Sequence, residues 1–123
     1  MMQPLAIILY ERLMPGSQLV NRLQDMSYRV LTLNSVARLI ATVQRESPLL
    51  LFIDLAASGD VCEAIAKLKA EPSTAHLPVI GFAPDNAMHL LAAAQAAGAS
   101  LAVSETVVSN HLPQLIDQAL HVD

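Results

Sequence analysis

Apolar and polar positions along this chain follow two rhythms. Nearly unbroken apolar runs of strand length recur five times, at Leu5–Tyr10, Tyr28–Leu33, Leu49–Leu55, Val79–Ala83 and Leu101–Val103. Between them, apolar residues fall every three or four positions, the period of a helix with one buried face. Leu49–Leu55 is apolar on both faces, which suits the centre of a parallel sheet.

The intervening segments predict five helices. Met14-Pro15-Gly16-Ser17 reads as a turn, with Ser17 capping a helix that buries Leu19, Val20, Leu23 and Met26. Asn34 or Ser35 caps a second helix, which buries Val36, Ile40 and Val43 and stops before Pro48. Asp60 and Glu63 have capping-box spacing for a third, with Val61, Ala64, Ile65 and Leu68 inward. Asp85 or Asn86 opens a fourth that Gly98 closes. Asn110–Leu120 is the last, with Pro113 in its first turn, where a missing N–H is tolerated.

Five strand–helix units with short connections predict a parallel sheet covered by helices on both faces. Right-handed crossovers leave few topologies. The expected architecture is an α/β, flavodoxin-like (βα)5 three-layer sandwich, strand order 2-1-3-4-5, forming one domain over residues 1–123. In such sheets the functional crevice opens at the carboxyl ends of the strands, where the order switches between the first and third. Asp54 ends the third run, so it is expected at that crevice rather than in the core. A carboxylate there must be solvated, paired or used chemically, because burying it alone is costly.

Composition narrows the reading. Hydrophobic residues make up 54% and charged ones 15%, which excludes disorder and provides a real core. With two Phe, two Tyr and no Trp, that core is aliphatic. The apolar share exceeds what one small domain needs, so a partner is expected to cover some surface. The longest strongly apolar run falls far short of the roughly 20 residues of a membrane span. Met1-Met2-Gln3-Pro4 carries no basic region of a signal peptide. A lone Cys62 excludes an internal disulfide and fits a reducing compartment, so a cytoplasmic location is expected.

The net charge of −4 is unevenly spread. All seven Lys and Arg lie between Arg12 and Lys69, whereas the chain from Ala70 onward holds five acids (Glu71, Asp85, Glu105, Asp117 and Asp123) and no Lys or Arg. That half repels phosphate backbones and offers no aromatic stacking platform, so nucleic-acid binding is not expected. His76, His89, His111 and His121 have no metal-ligand spacing, and Cys62 reads as a small packed residue. No glycine-rich phosphate motif occurs, which leaves nucleotide and flavin hypotheses without support.

Local strings add a resemblance. Ala64-Ile65-Ala66-Lys67-Leu68-Lys69, Pro72, Leu77-Pro78-Val79-Ile80 and Ala92–Ser100 (AAAQAAGAS), in that order, resemble the receiver domain of two-component response regulators. The likeness covers essentially the whole chain. It implies a phosphoacceptor aspartate ending the third strand, an acidic pair after the first that helps to hold Mg²⁺, a hydroxyl ending the fourth, and a lysine ending the fifth. Hard oxygen ligands suit Mg²⁺, and a cation with a hydroxyl stabilises a transferring phosphoryl group.

Only part of that set is present. Asp54 matches the phosphoacceptor. The acidic pair falls on Tyr10-Glu11, or on Glu11-Arg12 in a slipped register. The hydroxyl position falls on Ala83, the lysine on Glu105, and the switch aromatic on Ala102. Two positions where the family usually has proline carry Ser58 and Thr106. Glu105 sets repulsion where the family sets attraction, so the chain resembles a pseudo-receiver, a non-catalytic signalling domain that acts by protein contact.

Three further expectations accompany this reading. Glu11 and Asp54, with Glu105, could converge on a divalent cation such as Mg²⁺ without phosphorylation. The chain could instead be an atypical active receiver, loaded on Asp54 by a histidine kinase. Small residues Ala56, Ala57 and Ala83 could leave the emptied crevice open to a small ligand. The fourth helix, Ala87–Ala97, holds no charge, where a half-buried helix normally shows a charged outer stripe. The resemblance implies a dimer or partner surface on the fourth helix, fifth strand and fifth helix, which places Met88, Leu91, Gln95, Ala102 and His111 at the contact.

Overall fold

The computed structural model describes residues 3–11 and 13–120. Five strands, β1 (Leu5–Leu9), β2 (Arg29–Leu33), β3 (Leu50–Asp54), β4 (Val79–Ala83) and β5 (Leu101–Ser104), form one sheet in the order β2-β1-β3-β4-β5. Every pairing is parallel. The helices are α1 (Leu13–Asp25), α2 (Leu39–Glu46), α3 (Val61–Ala70), α4 (Met88–Ala97), α5 (Glu105–Asn110) and α6 (Leu112–Leu120). The sandwich and strand order are those the apolar runs predict, with strand ends shifted by a residue or so.

Alternation along the strands divides the core in two. Ile7, Leu9, Leu51, Ile53 and Val79 pack with Leu39, Val43, Ile65, Leu68 and Ala94, which places α2, α3 and α4 on one face. Ala6, Ile8, Leu50, Phe52, Ile80 and Phe82 pack with Leu19, Leu23, Val108, Leu112 and Ile116, which places α1, α5 and α6 on the other. All positions of β1, β3 and β4 are buried, as strands covered on both sides must be. The edge strands β2 and β5 are half exposed.

The helix starts depart from expectation at several points. Helix α1 begins at Leu13, so residues 14–17 are helical rather than a turn and Ser17 is not its cap. Pro15 falls in the first turn, where its N–H would have no intrahelical partner. The Tyr10 ring lies directly on Gly16, in space that a Cβ there would fill. Val36–Arg38 form a 3₁₀ turn leading into α2, and the Ser35 side chain makes no capping bond. Asp60 does cap α3, accepting from the Glu63 N–H at 3.0 Å as its spacing predicts.

Helix α4 starts at Met88 with Ala87 before it, so neither Asp85 nor Asn86 serves as its cap. It ends, as predicted, at Gly98, whose φ of +113° is a left-handed conformation that side chains resist. The last helix is two. Ser104 accepts from the Val107 N–H at 3.3 Å and starts α5, and the chain breaks at His111 before α6. Among the described residues, no helix is long and apolar enough to cross a membrane.

Candidate functional site

The crevice lies where β1, β3, β4 and β5 end. Register sets its floor: Ile53 pairs with Leu9 and Asp54 with Phe82, so the next residue of the first strand, Tyr10, falls beside Asp54 on its other side. Alternation puts the Asp54 side chain on the face of Leu50 and Phe52, toward α1, α5 and α6. An aromatic residue therefore flanks the carboxylate on each side.

Asp54 is fully buried, with 0% of its surface exposed. The sequence expects it at the crevice rather than in the core and leaves solvation, pairing and chemical use open; the structure puts it at that strand end with no surface exposed. Its Oδ1 accepts from the Ala56 N–H at 3.0 Å, folding the β3–α3 loop back on the strand end. A buried carboxylate needs such donors to offset its lost hydration. Among the described residues, no buried side-chain nitrogen or oxygen lacks a partner.

Glu11 is exposed and reaches across to that same loop, where its Oε1 accepts from the Ser58 N–H at 2.6 Å. Arg12, the second residue of the slipped register, lies outside the described residues. Ala83 is fully buried and packs into the α2–α3–α4 core rather than lining an opening. Glu105 is the first residue of α5, where negative charge complements the helix dipole. Among the described residues, no three His, Cys, Asp or Glu side chains are grouped to hold a metal ion. Glu11, Asp54 and Glu105 do not make up such a group of three.

A second carboxylate contact was not foreseen. Asp85, in the β4–α4 loop, accepts from both the Thr106 N–H, at 3.2 Å, and the Thr106 hydroxyl. Thr106 above all, with help from Ser104, holds the Asp85 carboxyl below its ordinary value, against a smaller opposing effect of burial. The usable signal was Thr106 itself, a residue with an N–H and a hydroxyl at a position where proline is usual. Helix-cap chemistry hid it, because Asp85 also suits the start of α4.

Open space borders the crevice floor. A pocket of ≈ 350 Å³ at the ends of β1 and β2 is lined by Tyr10, Glu11, Thr32, Leu33, Asn34 and Arg38. A groove of ≈ 490 Å³ runs between α1 and the α5–α6 junction, where Arg22 donates to the Ser109 carbonyl at 2.6 Å.

The residues expected at the contact face fall on three parts of the chain at and around the β5 edge of the sheet. Met88, Leu91 and Gln95 share one stripe of α4, and Ala94 is the helix's only buried residue. Met88 is 73% exposed, a large value for an apolar side chain. Ala102 packs against the core beneath α4. His111 is not within a helix but at the break between α5 and α6, on the opposite face of the sheet from α4.

No protein-family model matches the chain, and no curated protein matches it. Solved structures do. A proposed response regulator from Chloroflexus aurantiacus superposes with a TM-score of 0.89 at 17% identity, covering 98% of this chain and 99% of that one. The BeF3-activated receiver domain of RstA from Klebsiella pneumoniae gives 0.82 at 15% identity, with 96% and 99% covered. The receiver domain of a modulated diguanylate cyclase from Desulfovibrio desulfuricans gives 0.80 at 20% identity, with 97% and 94% covered. At such identities the agreement is one of architecture. The chain has the fold of the response regulator receiver domains.

Proposed function

We propose that residues 1–123 form a single receiver-type signalling domain that works by protein contact in a two-component-type pathway, without phosphoryl transfer. The observation that carries this is the complete burial of Asp54, the one residue matching a phosphoacceptor. An in-line attack needs an approach path to a carboxylate oxygen, and one of these oxygens is held by the Ala56 N–H. Glu105, at the lysine position, adds like charge. Like charge at that strand end disfavours a further anion, the more so the less water screens it.

With the chemistry set aside, the α4–β5 edge is the surface left for function. Its helix is uncharged, and Met88 stands in solvent. A second copy of this chain or another signalling protein is its natural partner, most simply in the cytoplasm. In the competing reading Asp54 is loaded by a histidine kinase through a remodelled Mg²⁺ site, and the retained aspartate favours it.

Acetyl phosphate with Mg²⁺, followed by intact-mass measurement, separates the two. The protein is expected to gain no phosphoryl group, and its crevice amide resonances to stay in place under beryllofluoride with Mg²⁺. Rapid, stoichiometric labelling of Asp54 would establish the kinase-loaded reading instead.

A further inference from the structure

Two carboxylates close loops around the crevice, and each uses a backbone N–H that proline would lack. Glu11 holds Ser58, 47 positions away, and Asp85 holds Thr106, 21 positions away. The first ties the segment after β1 to the β3–α3 loop. The second ties the β4–α4 loop to the start of α5. Between them they involve the segments that follow β1, β3, β4 and β5, of which β1 and β4 pair directly with β3, the strand that Asp54 ends.

We infer that Glu11–Ser58 and Asp85–Thr106 are clasps that keep the crevice shut over Asp54, an autoinhibitory device built from residues that would otherwise serve an open, metal-dependent site. This rests on the proposed reading of the crevice and adds its cause. Glu11 is the surviving acid of the expected Mg²⁺ pair, and its carboxylate is already bound to a protein donor. The Ala56 N–H, one residue from the loop's buried Ala57, is likewise taken by Asp54 itself. The Ala56, Ser58 and Thr106 N–H groups are thus satisfied internally, by the chain's own carboxylates. An incoming anion would have to displace them.

Position explains why both clasps are possible here. A proline at 58 or at 106 has no N–H to donate, so neither bond to a carboxylate could form. Thr106 is the second residue of α5, where the backbone N–H has no partner within the helix and is available to Asp85. Both clasps are exposed at the surface, so each contributes modestly by itself, and both can open without unfolding the core.

Carbodiimide labelling of carboxylates, mapped by peptide mass spectrometry on the full chain, reads the device directly. In the wild-type protein Asp54 is expected to label far more slowly than exposed Asp25. Ser58→Pro and Thr106→Pro each delete one clasp, and Glu11→Ala deletes the first from its other side. Losing one such bond is expected to raise Asp54 labelling relative to Asp25 by about five- to tenfold. Native-state hydrogen exchange is the second measurement, independent of any variant: the Ser58 and Thr106 amides are expected to be protected in the wild type. Labelling unchanged in the folded variants, or Ser58 and Thr106 amides exchanging at unprotected rates, would overturn the clasps while leaving the acetyl phosphate result untouched.

Discussion

Lys69 lays its side chain against Gly98, so that a Cβ built on the glycine would stand 2.9 Å from Lys69 Cγ. The ammonium passes on to the Leu77 carbonyl at 2.6 Å and the Ala75 carbonyl at 3.3 Å, and burial lowers its pKa. One lysine therefore joins the end of α3, the turn before β4 and the end of α4. Gly98→Ala is expected to destabilise the fold by about 1–2 kcal/mol, through both the left-handed backbone and this contact. In a Lys69→Ala background part of that loss should disappear. Urea denaturation of the four proteins of this cycle measures it, and equal losses in both backgrounds would show that only the backbone matters.

The Asp85 clasp has a pH signature. Its carboxyl is held below the ordinary value of 3.8, first by the Thr106 hydroxyl. A folded pKa lower than the unfolded one contributes stability above 3.8, and this is lost as pH falls through the folded value. The wild type should therefore lose stability on acidification below 3.8 more steeply than Asp85→Asn or Thr106→Val. Denaturation midpoints measured across the acid range would refute this if the three curves run parallel.

Burial gives Asp54 a structural role. Asp54→Ala leaves the Ala56 N–H without its acceptor and opens a small void, which should cost roughly 1–3 kcal/mol. Asp54→Asn keeps an oxygen acceptor and should cost less. A fully stable Asp54→Ala protein in chemical denaturation would mean that the carboxylate holds nothing in place.

Met88 tests the proposed contact face. Because the side chain is 73% exposed, Met88→Asp should change monomer stability by no more than about 0.5 kcal/mol. If a second copy covers α4, light scattering of the wild type should show a concentration-dependent dimer that this substitution abolishes. A wild-type monomer at high concentration removes self-association and leaves another protein as the partner.

Much of the architecture was legible because its signals are local. The run from Leu50 to Asp54 is apolar at every position but the last, which only a strand buried on both faces requires. Asp60 with Glu63, and Gly98 after Ala97, mark a helix start and a helix end through bonds spanning a few residues. Pro15-Gly16 misled for the same reason: locally it is turn chemistry. The helix nevertheless runs through it, with Pro15 in the first turn and the Tyr10 ring occupying the space that a side chain at position 16 would need. The break at His111 was hidden because Ser104, at the end of a strand, supplies the cap that starts an extra helix.

Sequence by itself determined the sheet, its order, the two-sided core and the position of Asp54 at a strand end, since periodicity and chain connectivity act over short spans and admit few solutions. Tertiary structure alone decided that Asp54 is sealed, that Glu11 binds Ser58 and that Asp85 leaves its helix for Thr106. Those outcomes depend on which hydrogen-bond donors the folded loops bring within 3 Å or so of a carboxylate. No pattern along the chain encodes that proximity, because the partners stand 21 and 47 residues apart and compete with local capping for the same oxygens.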